Sequence, residues 1–239
     1  MQLPSYTVHI SPRTRRVRLK VSLDRGLQVI IPKGFPLAEV PQILHQSQRW
    51  WTKTLATLQE RQQVVGRQSL AESGIPLRAI DHHWSVSFQP TSSPELHLRE
   101  TPNLTLVLMG PVNDEQTVQR GVRQWLIQQG RGYLLPWLQR VSQETQLPYQ
   151  RGLVKTQKTR WGSCSTAHTI SLNAKLLFLP PELVRSVLIH ELCHTVHLNH
   201  SPAFWRCVAQ YDPLYQQWRQ ELKQSWRYVP HWVDHSGIP

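Results

Sequence analysis

A group of histidines near residue 190 has the residue types and the spacing of a metal site. His190 and His194 are four positions apart with Glu191 between them, in an H-E-x-x-H pattern, and His200 follows. Four residues make about one turn of an α-helix, so the first two imidazoles would lie on one face. Such a pair suits one zinc ion, and the glutamate can activate a zinc-bound water. The pattern therefore predicts a catalytic zinc centre with Glu191 as general base.

His197 and Asp212 are two possible third ligands. His197 shares the helix face of His190 and His194, but on a straight helix it lies about 10.5 Å along the axis from His190. Bonds of about 2.1 Å to one ion cannot span that distance. Asp212 is the only acidic residue for some distance after the motif. A zinc site completed by a carboxylate, as in glutamate-type zincins, is therefore poorly supported.

His200 is the third ligand that we expect. It can return to the ion if the chain leaves the helix near Leu198, and Asn199 tolerates the left-handed conformation that a sharp helix end often needs. A fourth position then stays open for water or substrate, which distinguishes a catalytic zinc site from a structural one. His197 would either contact substrate or the zinc-bound water, or be an ordinary histidine at the helix end.

The residues around the motif predict the helix that it requires. Pro180 or Pro181 can occupy the first turn, and Glu182 suits the positive end of the helix dipole. Apolar residues then bury one face of the helix; they are Leu183, Val184, Val187, Leu188, Leu192 and Val196. Ser201 and Pro202 have the residue types that begin a further helix. A last helix is expected at about 213–226.

The chain before the motif predicts sheets and one long helix. Strands are expected at 153–158 and 168–173, joined through 159–165. A helix is expected from about Asp114 to Gln146, capped by Asn113 or Asp114. Gly130, Gly132 and Pro136 predict a kink or a break near its middle.

The first part of the chain predicts mainly β-structure. Strands are expected at 6–10, 14–21, 27–31, 75–79, 83–88, 95–99 and 104–108, with a turn at 24–26 and one helix from about Leu37 to Gln63. We place a boundary near residue 110. It separates a β-rich region with one helix, 1–110, from a catalytic domain, 111–228, with a loose tail at 229–239. This layout predicts an α+β fold.

The composition of the chain restricts its cellular environment and the partners that it can bind. The net charge is +12, which permits a nucleic acid or nucleotide partner or simply a solvated basic surface. The run 16–21 alternates charged and apolar residues, which indicates a strand whose charged side chains lie on its solvent-exposed face. No stretch of eighteen apolar residues and no signal peptide is found, and the three cysteines fit a reducing cytoplasm.

Several motifs together resemble one known family. They are K-T-R-W-G-S-C-S at 158–165, Leu172-Asn173, the histidine motif at 190–194, Asn199-His200-Ser201, Phe204-Trp205, Asp212-Pro213-Leu214-Tyr215 and Trp218. In order and spacing these residues resemble the YgjP-like metallopeptidases, which are allied to SprT-like and Wss-type zincins. The resemblance covers about residues 150–220. Residues 1–150 resemble the family only in layout.

The resemblance implies a zincin-like catalytic domain, in which the H-E-x-x-H helix packs on a small β-sheet. It implies His190, His194 and His200 as ligands and Glu191 as catalytic acid and base. The segment 161–164 would then lie beside the cleft.

Among the other residues of the shared motifs, Arg160 and Cys164 have two interpretations each. Arg160 is a candidate for holding a substrate carbonyl or oxyanion, or for a structural ion pair. Cys164 is either a regulatory zinc ligand or a buried structural thiol. Gly162 can allow close backbone approach, Asn173 is expected to be structural, and Tyr215 is a candidate donor to a transition-state oxygen.

These features predict a zinc-dependent cytoplasmic peptidase that acts on a peptide or protein, which an edge strand near 168–173 could hold extended. A metal-dependent hydrolase of nucleoside triphosphates is an alternative, although no phosphate-binding glycine loop is found. A protease associated with DNA is a third hypothesis, and a non-enzymatic metal-binding scaffold is a fourth. The glutamate between the histidines argues against the scaffold.

Overall fold

The chain forms two compact units in a computed structural model that describes residues 5–22, 26–65 and 70–233. The units are Met1–Gly66 and Arg67–Pro239. This division differs from the predicted boundary near residue 110. The reason is that the sheet formed by residues 75–110 shares one hydrophobic core with the helices that follow it.

The first unit is a three-stranded sheet with two helices. Its strands are β1 (Tyr6–Ile10), β2 (Arg18–Ser22) and β3 (Gly26–Ile31) in the order β1-β3-β2, and its helices are α1 (Val40–Gln46) and α2 (Gln48–Val65). β1 runs parallel to β3, and β2 runs antiparallel to it. The predicted helix at 37–63 is interrupted at Ser47, and residues 24 and 25 of the predicted turn lie outside the described residues.

The alternation of β2 places its charges on the solvent side, as predicted. Arg18 and Lys20 are exposed, whereas Leu19 packs against the core of the first unit. That core is made by Leu27, Val29, Ile31, Val40, Leu44 and Trp51.

The second unit begins with α3 (Leu70–Ser73) and a four-stranded sheet. Its strands are β4 (Ile75–Leu77), β5 (His82–Pro90), β6 (His97–Thr101) and β7 (Thr105–Gly110), in the order β4-β5-β7-β6. β5 and β7 are parallel, and the other pairs are antiparallel.

A 31-residue helix, α4 (Glu115–Thr145), connects this sheet to the rest of the unit. The side chain of Asp114 caps it by accepting the backbone N–H groups of Gln116 and Thr117. Of the predicted kink or break, the break is wrong, because α4 continues through Gly130 and Pro136. Gly130 serves packing instead: a Cβ on it would lie 2.8 Å from a methyl group of Val154, so the glycine lets the helix approach the next sheet closely.

The second sheet of this unit contains β8 (Arg151–Lys155), β9 (Gly162–Cys164) and β10 (Thr169–Asn173), in the order β8-β10-β9. β9 was not predicted, since three residues give little alternation. β10 is the central strand, so the expectation of an edge strand at 168–173 is wrong. β9 is an edge, antiparallel to β10.

Three helices complete the unit: α5 (Pro181–Cys193), α6 (Pro202–Tyr211) and α7 (Tyr215–Leu222). α5 begins with a proline and buries the predicted apolar stripe from Leu183 to Leu192. The Ser201 side chain caps α6. α7 is shorter than predicted and is followed by a 3-10 turn, Ser225–Tyr228.

Residues 229–233 differ from the loose tail that we expected at 229–239. Val229 and Val233 are buried in the core, and Arg123 donates a hydrogen bond to the Val233 carbonyl. Residues 234–239 lie outside the described part of the chain. None of the helices within the described residues is both long and apolar enough to cross a bilayer.

Candidate metal centre

The helix that carries the motif ends earlier than the sequence predicts. α5 stops at Cys193, and Thr195 and Val196 donate backbone hydrogen bonds to the carbonyls of Leu192 and Cys193. The helix therefore ends about five residues before the expected exit near Leu198. Asn199 does not take the expected left-handed conformation; its side chain instead accepts the N–H of Ser201.

The early turn brings three imidazoles together. Nε2 of His190 lies 3.2 Å from Nε2 of His194 and 3.1 Å from Nε2 of His200. The nitrogen atoms that these residues can offer to a metal all lie within 4.8 Å of one another. We call these three residues the histidine triad. The triad could therefore hold one metal ion, and three protein ligands with one open position are typical of catalytic zinc sites.

A backbone contact fixes the orientation of one member of the triad. Nδ1 of His194 lies 2.9 Å from the carbonyl oxygen of His197. Donation by Nδ1–H leaves the lone pair on Nε2, on the side of the other two imidazoles. His197 therefore contributes its backbone to the centre. Its own ring is not among the nitrogen atoms that converge there.

Two aromatic residues of α6 support the triad. The ring of Phe204 stacks on His194 at 4.4 Å and meets His190 and His200 edge-on, both at 4.9 Å. Trp205 stacks on His200 at 5.5 Å. Phe204 is fully buried, so the imidazoles pack on a ring that the core holds in place.

Two members of the triad, His190 and His194, are electrically suited to remain neutral. Burial lowers the pKa of His190 to about 3, and the charges of His194, His200 and Arg219 act in the same direction. Burial also lowers the pKa of His194. Neutral imidazole is the form that binds a metal, so ligand nitrogens are available without losing a proton first.

Glu191 is buried beside the triad on α5, and Gly162 of β9 lies against it. A Cβ atom on Gly162 would lie 2.6 Å from Oε1 and 2.7 Å from Cγ of Glu191, so only glycine leaves room for the carboxyl group. The sequence-based expectation of close approach at Gly162 agrees with this geometry. Burial raises the pKa of Glu191 to about 8, while the positive charge of Arg160 opposes the rise.

Asn173 holds the segment that leads to Gly162. It is fully buried, and its Nδ2 donates to the carbonyls of Gln157 and Arg160 at 2.9 and 2.7 Å. Its backbone N–H donates to the Trp161 carbonyl at 2.8 Å. The structure therefore specifies the predicted structural role: Asn173 positions the segment 157–162, which faces Glu191.

A cavity of about 560 Å³ opens at the triad. We call it the site cavity. Arg160 and Tyr215, two of the predicted residues, line it together with His190, Glu191 and His200. Tyr215 also stacks on Trp205 at 5.5 Å. Arg160 makes no ion pair within the part of the chain that the structure describes, which leaves its guanidinium at the cavity.

Sequence reasoning missed Arg219 and Leu222, which line the same cavity. Both lie on α7, four and seven positions after Tyr215, so all three side chains share one helix face. That spacing was the available signal, once Tyr215 was considered. The guanidinium of Arg219 lies 4.7 Å above the ring of Trp205, at the distance of a cation–π contact.

Two predicted candidates lie apart from the triad. Among the described residues, the convergent ligand atoms do not include Asp212, which follows the last residue of α6, or the thiol of Cys164. Burial, followed by the charge of Glu191, raises the pKa of Cys164, and its Sγ lies 3.5 Å from the Ser165 carbonyl. These conditions favour a neutral thiol over a metal-binding thiolate.

A family model described as YgjP-like, metallopeptidase domain, matches residues 15–225 of the chain. This range is most of the sequence and includes every residue of the triad and of the cavity lining named above. No curated protein matches the sequence.

Proposed function

Because the chain belongs to the YgjP-like metallopeptidase family, we propose that it is a zinc-dependent peptidase with the histidine triad as ligands and Glu191 as general base. The family places the chain among hydrolases that use a divalent metal and act on peptides or proteins. The observation that carries the finer proposal is the convergence of the three Nε2 atoms beside one buried carboxyl group.

The triad suits zinc in donor type and in number. Imidazole nitrogen is a common zinc ligand, and three protein ligands are typical of catalytic sites. The hydrogen bond from His194 to the His197 carbonyl supplies the outer contact that orients such ligands. When bound, the metal would supply Lewis acidity toward water and toward the scissile carbonyl.

Glu191 would move the proton of the reaction. As a carboxylate it would accept a proton from the attacking water, and as an acid it would donate that proton to the leaving amine. Burial raises the pKa of Glu191, and a carboxyl group that can both hold and release a proton suits both halves of this cycle. Gly162 would keep the carboxyl group in place, and Arg160 or Tyr215 would hold the substrate carbonyl oxygen.

β9 is the strand that would hold a peptide substrate. It is an edge of its sheet, and Gly162 within it borders the site cavity. A peptide that adds to a free edge gains main-chain hydrogen bonds and becomes extended across the site. We therefore propose a zincin-like domain, in which α5, the helix that carries the histidine motif, packs beside β9.

No observation within the described residues favours nucleotide hydrolysis or nucleic-acid binding over peptide hydrolysis. The test therefore compares substrates. Zinc-loaded protein should hydrolyse casein-like substrates and leave nucleoside triphosphates intact. Glu191→Gln should keep its zinc and lose turnover. Full activity of Glu191→Gln would contradict the proposed mechanism, and turnover of triphosphates alone would contradict the proposed substrate.

A further inference from the structure

Resting on the proposed peptidase function, we propose that Arg219 and Arg160 select substrates that carry a carboxylate next to the scissile bond. The preferred substrate is then an acidic peptide or one with a free C-terminal carboxylate. The proposed hydrolysis by the triad and Glu191 requires neither a preference for acidic substrates nor a role for Arg219.

The two guanidinium groups reach the site cavity from different elements. Arg160 precedes β9, and Arg219 lies on α7. Both line the same cavity as His190 and Glu191. Two positively charged side chains from separate elements therefore line the cavity of the proposed centre.

The cationic charge at the cavity is not neutralised by the protein. Arg160 and Arg219 are both exposed, and neither forms an ion pair with any carboxylate among residues that the structure describes. Among the described residues that line the cavity, Glu191 is the one acidic residue. It lies beside the triad, where we propose that it acts as general base, and it forms no ion pair with either arginine. A divalent metal would add further positive charge. An anionic group is therefore attracted there, and a cationic group is repelled.

The surroundings of Arg219 favour specific recognition over a general field. Its guanidinium is supported by the ring of Trp205 at 4.7 Å, which restricts the side chain and leaves its N–H groups free for an acceptor. A planar guanidinium matches a carboxylate with two parallel hydrogen bonds. Tyr215, one turn earlier on the same face, lines the same cavity.

The first experiment uses paired peptides that differ in one charge. End-blocked peptides with a single Asp or Glu are compared with their Asn or Gln counterparts, and peptides with a free C-terminus are compared with their amides. The zinc-loaded protein should show kcat/KM about tenfold higher for the carboxylate member of a pair. The Asp/Asn and Glu/Gln pairs measure the preference for a side-chain carboxylate, and the acid/amide pairs measure the preference for a C-terminal carboxylate.

Variants assign the preference to the arginines. Arg219→Gln should bring the ratio within each pair close to one, Arg160→Gln should reduce it, and Arg219→Glu should favour Lys-containing peptides. Arg206→Gln is the matched control, because Arg206 is exposed on α6 and does not line the cavity; its ratios should equal those of the parent protein.

Binding separates this inference from the peptidase proposal. The same peptides, fluorescently labelled, are titrated against the Glu191→Gln protein and its double variant with Arg219→Gln, and anisotropy gives Kd. Tighter binding of carboxylate peptides that depends on Arg219 supports the inference even if no peptide is cleaved, which would contradict only the peptidase proposal. Equal Kd within each pair, or cleavage without acidic preference, would overturn the inference.

Discussion

A Cβ atom on Gly162 would lie 2.6 Å from Oε1 of Glu191, so the edge strand and the buried carboxyl group fit together only through a glycine. Gly162→Ala should therefore displace Glu191 while the triad stays intact. We expect turnover to fall by about a hundredfold, because small displacements of a reacting group have effects of that size. Steady-state kinetics and metal content of the purified variant measure the two quantities.

Gly132→Ala is the control for this substitution. Gly132 lies within α4, and a Cβ on it would meet nothing within 4 Å. The change should leave activity unchanged and raise the free energy of unfolding by about 0.5–1 kcal/mol. Normal turnover in Gly162→Ala would show that Glu191 has space that the structure does not give it.

Asn173 should matter for both stability and activity. Asn173→Ala removes the donors to the carbonyls of Gln157 and Arg160 and leaves them without their partner beside a buried site. We expect a loss of about 1–3 kcal/mol in the free energy of unfolding and a larger fractional loss of turnover than of bound metal. Urea denaturation, kinetics and metal analysis give the three values.

The exposed Asn113 provides a comparison for Asn173. Asn113→Ala should change stability by less than about 0.5 kcal/mol. If both substitutions had the same small effect, the segment 157–161 would not depend on Asn173.

His197 and His200 should respond differently to substitution. His200→Ala removes a nitrogen donor and should weaken zinc binding by more than the about 10- to 100-fold cost of losing an outer contact of a ligand. His197→Ala keeps the backbone carbonyl that accepts Nδ1–H of His194, so its zinc affinity should be unchanged. Competition with a chromophoric chelator measures both. Equal losses in the two variants would mean that His197 also binds the metal.

The metal-free protein should become less stable as pH rises from 6.5 to 8. The folded-state pKa of Glu191 is about 8, above the ordinary 4.5, so the folded protein holds a proton there that the unfolded chain has lost. Its contribution to stability is complete below the ordinary pKa and disappears as pH rises through 8. Glu191→Gln should remove this slope.

The histidines act in a different range. Because the pKa of His190 is lowered from 6.5 to about 3, its effect is to raise stability between pH 3 and 6.5. The difference between the parent protein and Glu191→Gln, measured by urea denaturation with chelator present at pH 6.5 and pH 8, therefore isolates the carboxyl group, because the histidines contribute equally to both proteins. Parallel changes in parent and variant would contradict the assignment.

Local signals were sufficient to predict the motif helix and much of the triad. The proline at the start of α5 and the apolar stripe from Leu183 define the helix by short-range effects. The spacing of His190 and His194 then follows from helical geometry. The end of the helix at Cys193 was not predicted. The turns that follow it are made by backbone hydrogen bonds, which every residue type except proline can donate, so no particular residue type marks them.

Features made by distant parts of the chain were not predictable in this way. Arg219 reaches the cavity through packing of α7, and in the sequence only its spacing from Tyr215 connects it with the site. The edge position of β9 depends on strand order, which three residues cannot indicate. The division after Gly66 likewise depends on which elements share a core. The resemblance to a family identified the residues of the wall at 160–164 but not how they face Glu191.

The stack of Trp205 on His200 gives the centre an optical signal of its own. The emission of an indole changes when the imidazole beside it gains a proton or a metal ion, since both alter the charge next to the excited ring. The chain contains ten tryptophans, so a spectrum of the parent protein minus that of Trp205→Phe isolates this one. Loading, loss and exchange of the ion should then be visible in real time without any substrate.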